Sequence, residues 1–367
     1  MVRPAWVEVD LDAVRANVAT LRRLVEPSKV CAVVKADAYG HGDVPVSEAA
    51  LEAGAEWLAV ALVEEGVRLR EAGIQAPILL LAEPPLEDAG EVFEWSLVPT
   101  VYRPEFVQAL QSAKGKGPRI PVHVKIDTGM HRLGAYGALA ARVARSIARS
   151  QDLELEGVWT HFANAEEDLD FTKLQLDVLK GFVAALGEEG ITPRLVHAAN
   201  TAGALLYPQA RLDMVRLGIA IYGLRPAGVG DLVIELQPAM RVVSQVEQVR
   251  RLPAGSRPSY GRLRPLEREA SVATIPIGYA DGVARRLGET GGQVLIKGKK
   301  FPFAGALTMD HVLVDVGEEP VEVGDEVVLL GHQGNEEISA ENWAARLGTI
   351  AYEVVCGFGP RLPRRYR

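Results

Sequence analysis

Apolar positions along the chain fall into two textures. Up to about residue 230, short and nearly continuous apolar runs alternate with stretches of helical spacing. The runs lie at 30–34, 57–61, 77–81, 97–101, 122–126, 153–159, 194–197 and 213–217, and each is read as a strand. Asp10 can cap a helix whose apolar stripe is Leu11, Val14, Val18, Leu21 and Val25. The clearest later stripe runs from Phe171 to Leu186 and puts Leu174, Val178, Leu179, Phe182 and Val183 on one face. Strands rich in Val, Ile and Leu, separated by amphipathic helices, predict a parallel sheet covered by helices. Eight such units favour closure into a TIM-type (β/α)8 barrel.

After Gly230 the pattern changes to alternating or β-branched runs at 240–249, 270–277, 293–296, 311–316 and 326–330, punctuated by turns such as Leu252-Pro-Ala-Gly255 and Val323-Gly-Asp325. A second, mainly β domain over residues 231–367 is therefore expected behind a barrel over residues 10–230. Arg225-Pro-Ala-Gly-Val-Gly230 has the composition of a linker between them.

The chain's 367 residues exceed one ordinary core. With 48% hydrophobic and 24% charged residues the composition is globular, and a net charge of −8 argues against nucleic acid or an anionic membrane as partner. The basic end, residues 361–367, is expected to be a solvated tail. Cys31 and Cys356 are far apart, so no disulfide framework is expected. The start lacks a charged-then-apolar leader pattern and no apolar run approaches a membrane span of roughly 18 residues, which together predict a cytoplasmic protein. No metal site is expected.

Candidate chemistry follows from where a barrel keeps its active site, at the C-terminal ends of the strands. Lys35 stands at the end of the first run, in Cys31-Ala-Val-Val-Lys-Ala-Asp-Ala-Tyr-Gly-His-Gly42. An ammonium next to a buried strand is driven toward its neutral form, which suits an imine with an aldehyde. Gly40 and Gly42 allow close backbone approach, and Tyr39 and His41 offer polar tips to a phosphate. Asp127-Thr-Gly-Met-His-Arg132 follows the fifth run, His161 the sixth and Asn200-Thr201 the seventh, while Arg216-Leu-Gly-Ile219 completes the eighth. Asn200, Thr201, Gly203 and Gly218 suit a phosphate cradle of the kind such barrels build after their last strands. An imine-forming lysine, a phosphate cradle and arginines between them describe a seat for pyridoxal 5′-phosphate. A phosphosugar aldolase working through a lysine imine needs the same parts and stays open at this point.

The motifs narrow this. Ala32-Val-Val-Lys-Ala-Asp-Ala-Tyr-Gly-His-Gly42, Ile126-Asp-Thr-Gly-Met-His-Arg-Leu-Gly134, His161-Phe-Ala163, Val215-Arg-Leu-Gly-Ile-Ala-Ile-Tyr-Gly223, Ser259-Tyr-Gly261, Pro276-Ile-Gly-Tyr-Ala-Asp-Gly282, Met309-Asp310 and Ile350-Ala-Tyr-Glu-Val354 stand in the order of the alanine racemase family, which the chain resembles over its whole length. The resemblance implies a barrel followed by a β-rich domain, with residues 1–9 as a strand packed on the latter.

It also implies roles. Lys35 would carry pyridoxal 5′-phosphate and then act as one base on the substrate Cα–H, with Tyr260 as the base on the opposite face. His161 and Arg216 would stabilise the Tyr260 phenolate. Arg216 would face the ring nitrogen; because a guanidinium keeps its proton, the ring would be a weaker electron sink, as a racemase needs. Arg132 would meet the cofactor's phenolic oxygen and the substrate carboxylate, and Met309 would offer its amide to that carboxylate. Tyr39, Asn200, Thr201, Gly218, Ile219 and Tyr352 would seat the cofactor, chiefly its phosphate. Tyr279 and Asp310 would flank the substrate, and Tyr279 and Tyr352 would narrow the entrance to favour a small side chain. Lys125 matches a lysine that is carbamylated in several family members. Tyr260, Tyr279, Met309 and Asp310 would reach the barrel of a second copy, making a head-to-tail homodimer with shared sites.

The substrates implied are L-alanine and D-alanine, the latter for peptidoglycan. A racemase for serine or basic amino acids, a basic amino-acid decarboxylase and a cofactor carrier without catalysis are the alternatives; Arg216 speaks against the decarboxylase and Tyr260 against the carrier. Three positions depart from the family pattern. His131 replaces a glycine and puts the aim of Arg132 in question, Val283 replaces an aromatic and would widen the access route, and Thr308 stands where Cys is common.

Overall fold

Asp10 accepts the amide of Ala13 at 2.9 Å and starts the helix Leu11–Val25, whose Val14, Val18, Leu21 and Val25 are buried as the stripe requires. The computed structural model describes residues 3–226, 228–229 and 234–367. Strand β1 (Ala5–Val9) precedes that helix, and the barrel strands follow it: β2 (Lys29–Val33), β3 (Trp57–Val60), β4 (Ile78–Leu80), β5 (Thr100–Val101), β6 (Ile120–Lys125), β7 (Leu153–Trp159), β8 (Leu195–His197) and β9 (Met214–Leu217).

Two parallel sheets, in the orders β4-β3-β2-β9 and β5-β6-β7-β8, close on each other. A parallel bridge from Leu79 to Val98 joins them on one side. On the other, Asp213 N–H donates to Val196 at 3.1 Å and Arg216 N–H to Ala199 at 3.0 Å. The result is an eight-stranded (β/α)8 barrel, and the apolar runs that predicted it are its strands. The fourth run shrinks to two strand residues because its first half pairs only through the Val98 bridge.

The mainly β part carries β10 (Met240–Gln245), β11 (Gln248–Leu252), β12 (Ala270–Ile275), β13 (Gln293–Ile296), β14 (Lys299–Pro302), β15 (Val312–Gly317), β16 (Glu326–Gln333), β17 (Glu336–Ile338) and β18 (Arg364–Tyr366). One sheet runs β14-β13-β16-β10-β1-β18, with β17 on β16, and a second runs β11-β12-β15. Strand β1 pairs antiparallel with β10, from Ala5 opposite Ser244 to Val9 opposite Met240. Of the linker stretch, Ala227 and Gly230 lie outside the described residues, as do residues 231–233.

The basic C-terminus is not a solvated tail. Arg364 to Tyr366 form β18, parallel to β1, and the Arg364 guanidinium is spent on the carbonyls of Gly40, Phe358, Gly359 and Leu362. Arg365 lies over the Trp6 ring at 3.9 Å. Charge density alone suggested solvation; a row of backbone carbonyls offered the five-donor Arg364 guanidinium a better environment, while Arg361, Arg365 and Arg367 remain exposed.

Candidate active site

The turn that bears Lys35 is left-handed. Ala36, Asp37, Ala38 and Tyr39 take φ values of 54, 54, 50 and 55° in succession. Each L-residue in this region costs roughly 1–2 kcal/mol, so a run of them persists only where surrounding structure holds it. Glu65 is one holder: its Oε1 accepts the Ala36 amide at 2.6 Å, and its Oε2 accepts those of Ala61 and Leu62 at 2.8 and 3.1 Å. The C-terminal Arg364 is another. No local pattern in Ala-Asp-Ala-Tyr announces this conformation, and Glu65 was not singled out in the sequence.

Lys35 opens into a cavity of about 540 Å³ at the C-terminal ends of the barrel strands, shared with Tyr39, Lys125, Arg132, His161, Asn200, Thr201, Arg216, Gly218, Ile219 and Tyr352. All of these were expected at the site. Trp159, Leu133 and Cys356 also line it and were not. Trp159 is the consequential one: Lys125 Nζ and the Arg216 guanidinium lie 4.3 and 4.5 Å from its ring centroid. Its place at the end of a strand run was the available signal.

Lys35, Lys125, Arg132 and Arg216 bring four basic side chains to the wall, and no Asp or Glu lines it among the described residues. Burial, reinforced by Arg132, holds the Lys35 ammonium below its usual value. Burial together with Arg216, Arg132 and Lys35 brings Lys125 down to about 7. His161 is held neutral by burial and the same cations. Arg216 is lowered by burial to about 10 and so still carries its charge at neutral pH. A cavity so charged selects anions such as a phosphate or a carboxylate.

Arg216 is fixed on several sides. Its Nη2 donates to the carbonyls of Thr160 and Ala198 at 2.9 and 2.8 Å and lies 3.3 Å from His161 Nδ1, while Nη1 lies 2.8 Å from His197 Nδ1. The contact with His161 joins two members of the expected relay.

At the cradle, Asn200 Oδ1 accepts the Gly203 amide at 2.9 Å and caps the short helix Thr201–Leu206, and Thr201 Oγ1 accepts the Gly218 amide at 3.0 Å. A Cβ at Gly218 would stand 2.6 Å from Tyr39 Oη, so glycine there lets the tyrosine hydroxyl sit against the backbone. An amine at one wall, hydroxyls and backbone amides at another and a guanidinium among them fit pyridoxal 5′-phosphate in donor chemistry and in room.

Other expectations are corrected. His41 is buried beneath the turn, stacked on Tyr222 at 4.5 Å with Nδ1 3.0 Å from the carbonyls of Ala38 and Tyr39, and offers nothing to the cavity. His131 keeps the left-handed backbone that a glycine would supply, at φ 56°, because Asp127 Oδ1 accepts its amide at 3.0 Å and Oδ2 lies 3.1 Å from its Nδ1. Arg132 accordingly still lines the cavity. Val283 is fully buried and does not line this cavity. Thr308 turns its hydroxyl to the His311 carbonyl at 2.8 Å.

Tyr260, Tyr279 and Met309 stand outside this cavity, with 75, 41 and 52% of their surfaces exposed. Asp310 is engaged by Arg361 at 2.6 Å. Within one chain, therefore, the amine and the phenol are not brought together.

Fold and site define a barrel enzyme that works through pyridoxal 5′-phosphate. Residues 9–226 match the family model described as alanine racemase, N-terminal domain, and residues 239–366 the one described as alanine racemase, C-terminal domain. An alanine racemase of Symbiobacterium thermophilum is 47% identical across 100% of this chain and 97% of its own length. The solved alanine racemase of Bacillus anthracis with bound L-Ala-P superposes with a TM-score of 0.93 at 37% identity, covering 100% of this chain and 96% of that one. A histidine racemase from Leuconostoc mesenteroides is more distant at 27% identity, yet it superposes with a TM-score of 0.92 over 100% of this chain and 98% of its own. The chain belongs to the alanine racemase family.

Proposed function

We propose that this enzyme interconverts L-alanine and D-alanine with pyridoxal 5′-phosphate, using Lys35 and a Tyr260 from a second copy as bases on opposite faces of the substrate. The observation that carries the reading is the buried Arg216, held through Nη1 and Nη2 in a cavity lined by four basic side chains and, among the described residues, no carboxylate. Bound there, pyridoxal 5′-phosphate supplies an aldehyde for Lys35 and a ring that acidifies the substrate Cα–H.

The chain's own residues do the rest. Tyr39, Asn200, Thr201, Gly218, Ile219 and Tyr352 seat the phosphate end. Arg132 holds the substrate carboxylate, joined by Met309, Tyr279 and Asp310 of the second copy. Lys35 Nζ, favoured as a free amine by burial and by Arg132, takes or gives the Cα proton on one face. Tyr260 does so on the other, its phenolate supported through His161 and Arg216, whose nitrogens are 3.3 Å apart. Arg216 keeps its proton at neutral pH and would make a cofactor ring held beside it a weaker electron sink, as proton return to either base requires.

An exposed Tyr260, far from saturating its own surface, supports a head-to-tail homodimer with two shared sites. Lys125, brought down to about 7, has a free amine to react with carbon dioxide, and we read it as carbamylated and bracing Arg132. Residues 10–230 form the cofactor domain in this reading and residues 231–367, with the N-terminal strand, the one that completes the partner's site. The enzyme would act in the cytoplasm to supply D-alanine for peptidoglycan, without a nucleic-acid partner; among the described residues no helix is long and apolar enough to cross a membrane.

The test is chiral separation of products from single enantiomers of alanine, serine, lysine and histidine, with borohydride reduction to fix the cofactor to its amine. Racemised alanine and a labelled Lys35 peptide are expected. Faster racemisation of a larger amino acid, or a label on another lysine, would overturn the assignment.

A further inference from the structure

Behind Arg216 a line of buried polar groups crosses the barrel interior. His197 Nδ1 lies 2.8 Å from Arg216 Nη1, and His197 Nε2 lies 2.9 Å from His123 Nδ1. His123 Nε2 is buried without a hydrogen-bond partner, and the nearest charge to it is Glu156 Oε2 at 3.6 Å. Glu156 in turn pairs with Arg194, whose side chain is largely exposed where β8 begins, at the end of the barrel opposite the cavity. Both histidines have no solvent-accessible surface.

The line is built for these rings. Trp159 stacks on His197 with centroids 5.5 Å apart and planes 8° apart, and Trp57 packs on His123 at 5.3 Å. Gly157 leaves the volume that the His123 ring fills, since a Cβ there would stand 2.6 Å from His123 Cε1.

Its polarity is determined from both ends. A guanidinium only donates, so His197 Nδ1 must accept and its proton must sit on Nε2. That proton is given to His123 Nδ1, which puts the His123 proton on Nε2. There it faces a carboxylate, which only accepts. Burial and the nearby Arg194 and Arg216 charges keep His123 neutral, lowering it to about 3, and burial with Arg216 and His123 does the same for His197.

We propose that His197 and His123 are positioning residues for Arg216, forming a one-way imidazole column anchored on Glu156 and Arg194 that holds the guanidinium in a single orientation at the cofactor cavity. The column gives Arg216 Nη1 a partner whose tautomer cannot reverse. Without it a charged N–H would be buried unpaired, and the guanidinium would turn to find water or another acceptor. This deepens the proposed function, because it rests on Arg216 serving the cofactor.

The experiment uses the holoenzyme with 15N-labelled histidine, the two resonances being assigned by their loss in His123→Gln and His197→Gln. Neutral Nε2–H tautomers at both positions at neutral pH are expected. An Nδ1–H tautomer or a cationic ring at either would overturn the column, whether or not the protein racemises alanine. The functional arm is His123→Phe, which leaves His197 Nε2–H without an acceptor. It should lower kcat about tenfold with KM for alanine within about twofold and shift the absorbance of bound cofactor, while His123→Gln recovers most of the rate. A folded His123→Phe enzyme with unchanged kcat and spectrum would overturn the proposal. Should that variant fail to fold, the tautomers of the unaltered enzyme decide.

Discussion

The Arg364 guanidinium donates from Nε to the Gly40 carbonyl at 3.0 Å, across 324 positions of sequence. With Nη1 on Gly359 and Leu362 at 2.7 and 2.8 Å and Nη2 on Phe358 at 2.6 Å, it ties the last strand of the chain to the left-handed turn that presents Lys35. The backbone turn that presents Lys35 is thus tied to the C-terminus as well as to Glu65. Arg364→Ala should lower Tm by roughly 5 °C and weaken cofactor retention, and Arg364→Lys should not restore either, since an ammonium cannot serve four carbonyls in that fork. Thermal unfolding and absorbance of the retained cofactor check this; full retention in both variants would show that the turn holds itself.

Gly42 faces the same strand. Its φ is 96°, and a Cβ there would enter the Tyr366 ring, standing 2.9 Å from its Cζ. Gly42→Ala should therefore destabilise the protein by about 2 kcal/mol or more, read from chemical denaturation, and adding Tyr366→Ala should recover only the steric share. An unchanged midpoint would contradict the packing.

Sharing of the site in trans predicts a specific recovery. Lys35→Ala and Tyr260→Ala chains should each be inactive as homodimers. Unfolded together and refolded, they should regain about a quarter of full activity, because half of the random dimers carry one intact site of two. Absence of recovery, with dimers formed, would sink the shared site.

Lys125 links stability to pH in the cofactor-free, unmodified protein. Its amine titrates at about 7 when folded against an ordinary 10.5, so between those values the unfolded chain binds more protons than the folded one. Stability should consequently rise with pH across that window, and Lys125→Met should flatten the rise. Carbamylation replaces the titrating amine with a fixed negative charge beside Arg216 and Arg132. Added bicarbonate should abolish the slope and increase the intact mass by one carboxylate, and a slope that persists in bicarbonate would rule the modification out.

Local order was legible to different depths. The Asp10 cap, the helix Leu11–Val25 and the eight barrel strands follow from patterns among neighbours in sequence; the helix Leu169–Glu188 forms as expected, but it buries Thr172, Gln175 and Leu176 and leaves Leu174 and Val178 of the expected stripe exposed. Residues of the cavity could be named in advance because a barrel delivers the residue after each strand to one rim, and Lys35, Arg132, His161, Thr201 and Arg216 all lie there. Trp159 could have been found from its place at the end of a strand run, but His123 and His197 inside strands and Glu65 in the helix Val63–Glu71 carry no local sign of what will face them.

Sequence by itself thus determined the alternation of strand and helix, the change to β structure after the barrel, and the set of side chains able to bind an aldehyde and a phosphate. Tertiary structure alone decided the handedness of the Lys35 turn, the docking of the basic C-terminus on it and the file of imidazoles behind Arg216. The division has one physical cause. Periodic burial is written in residues a few positions apart, whereas a strained turn or a buried donor becomes affordable only when groups hundreds of positions away arrive with the matching hydrogen bonds.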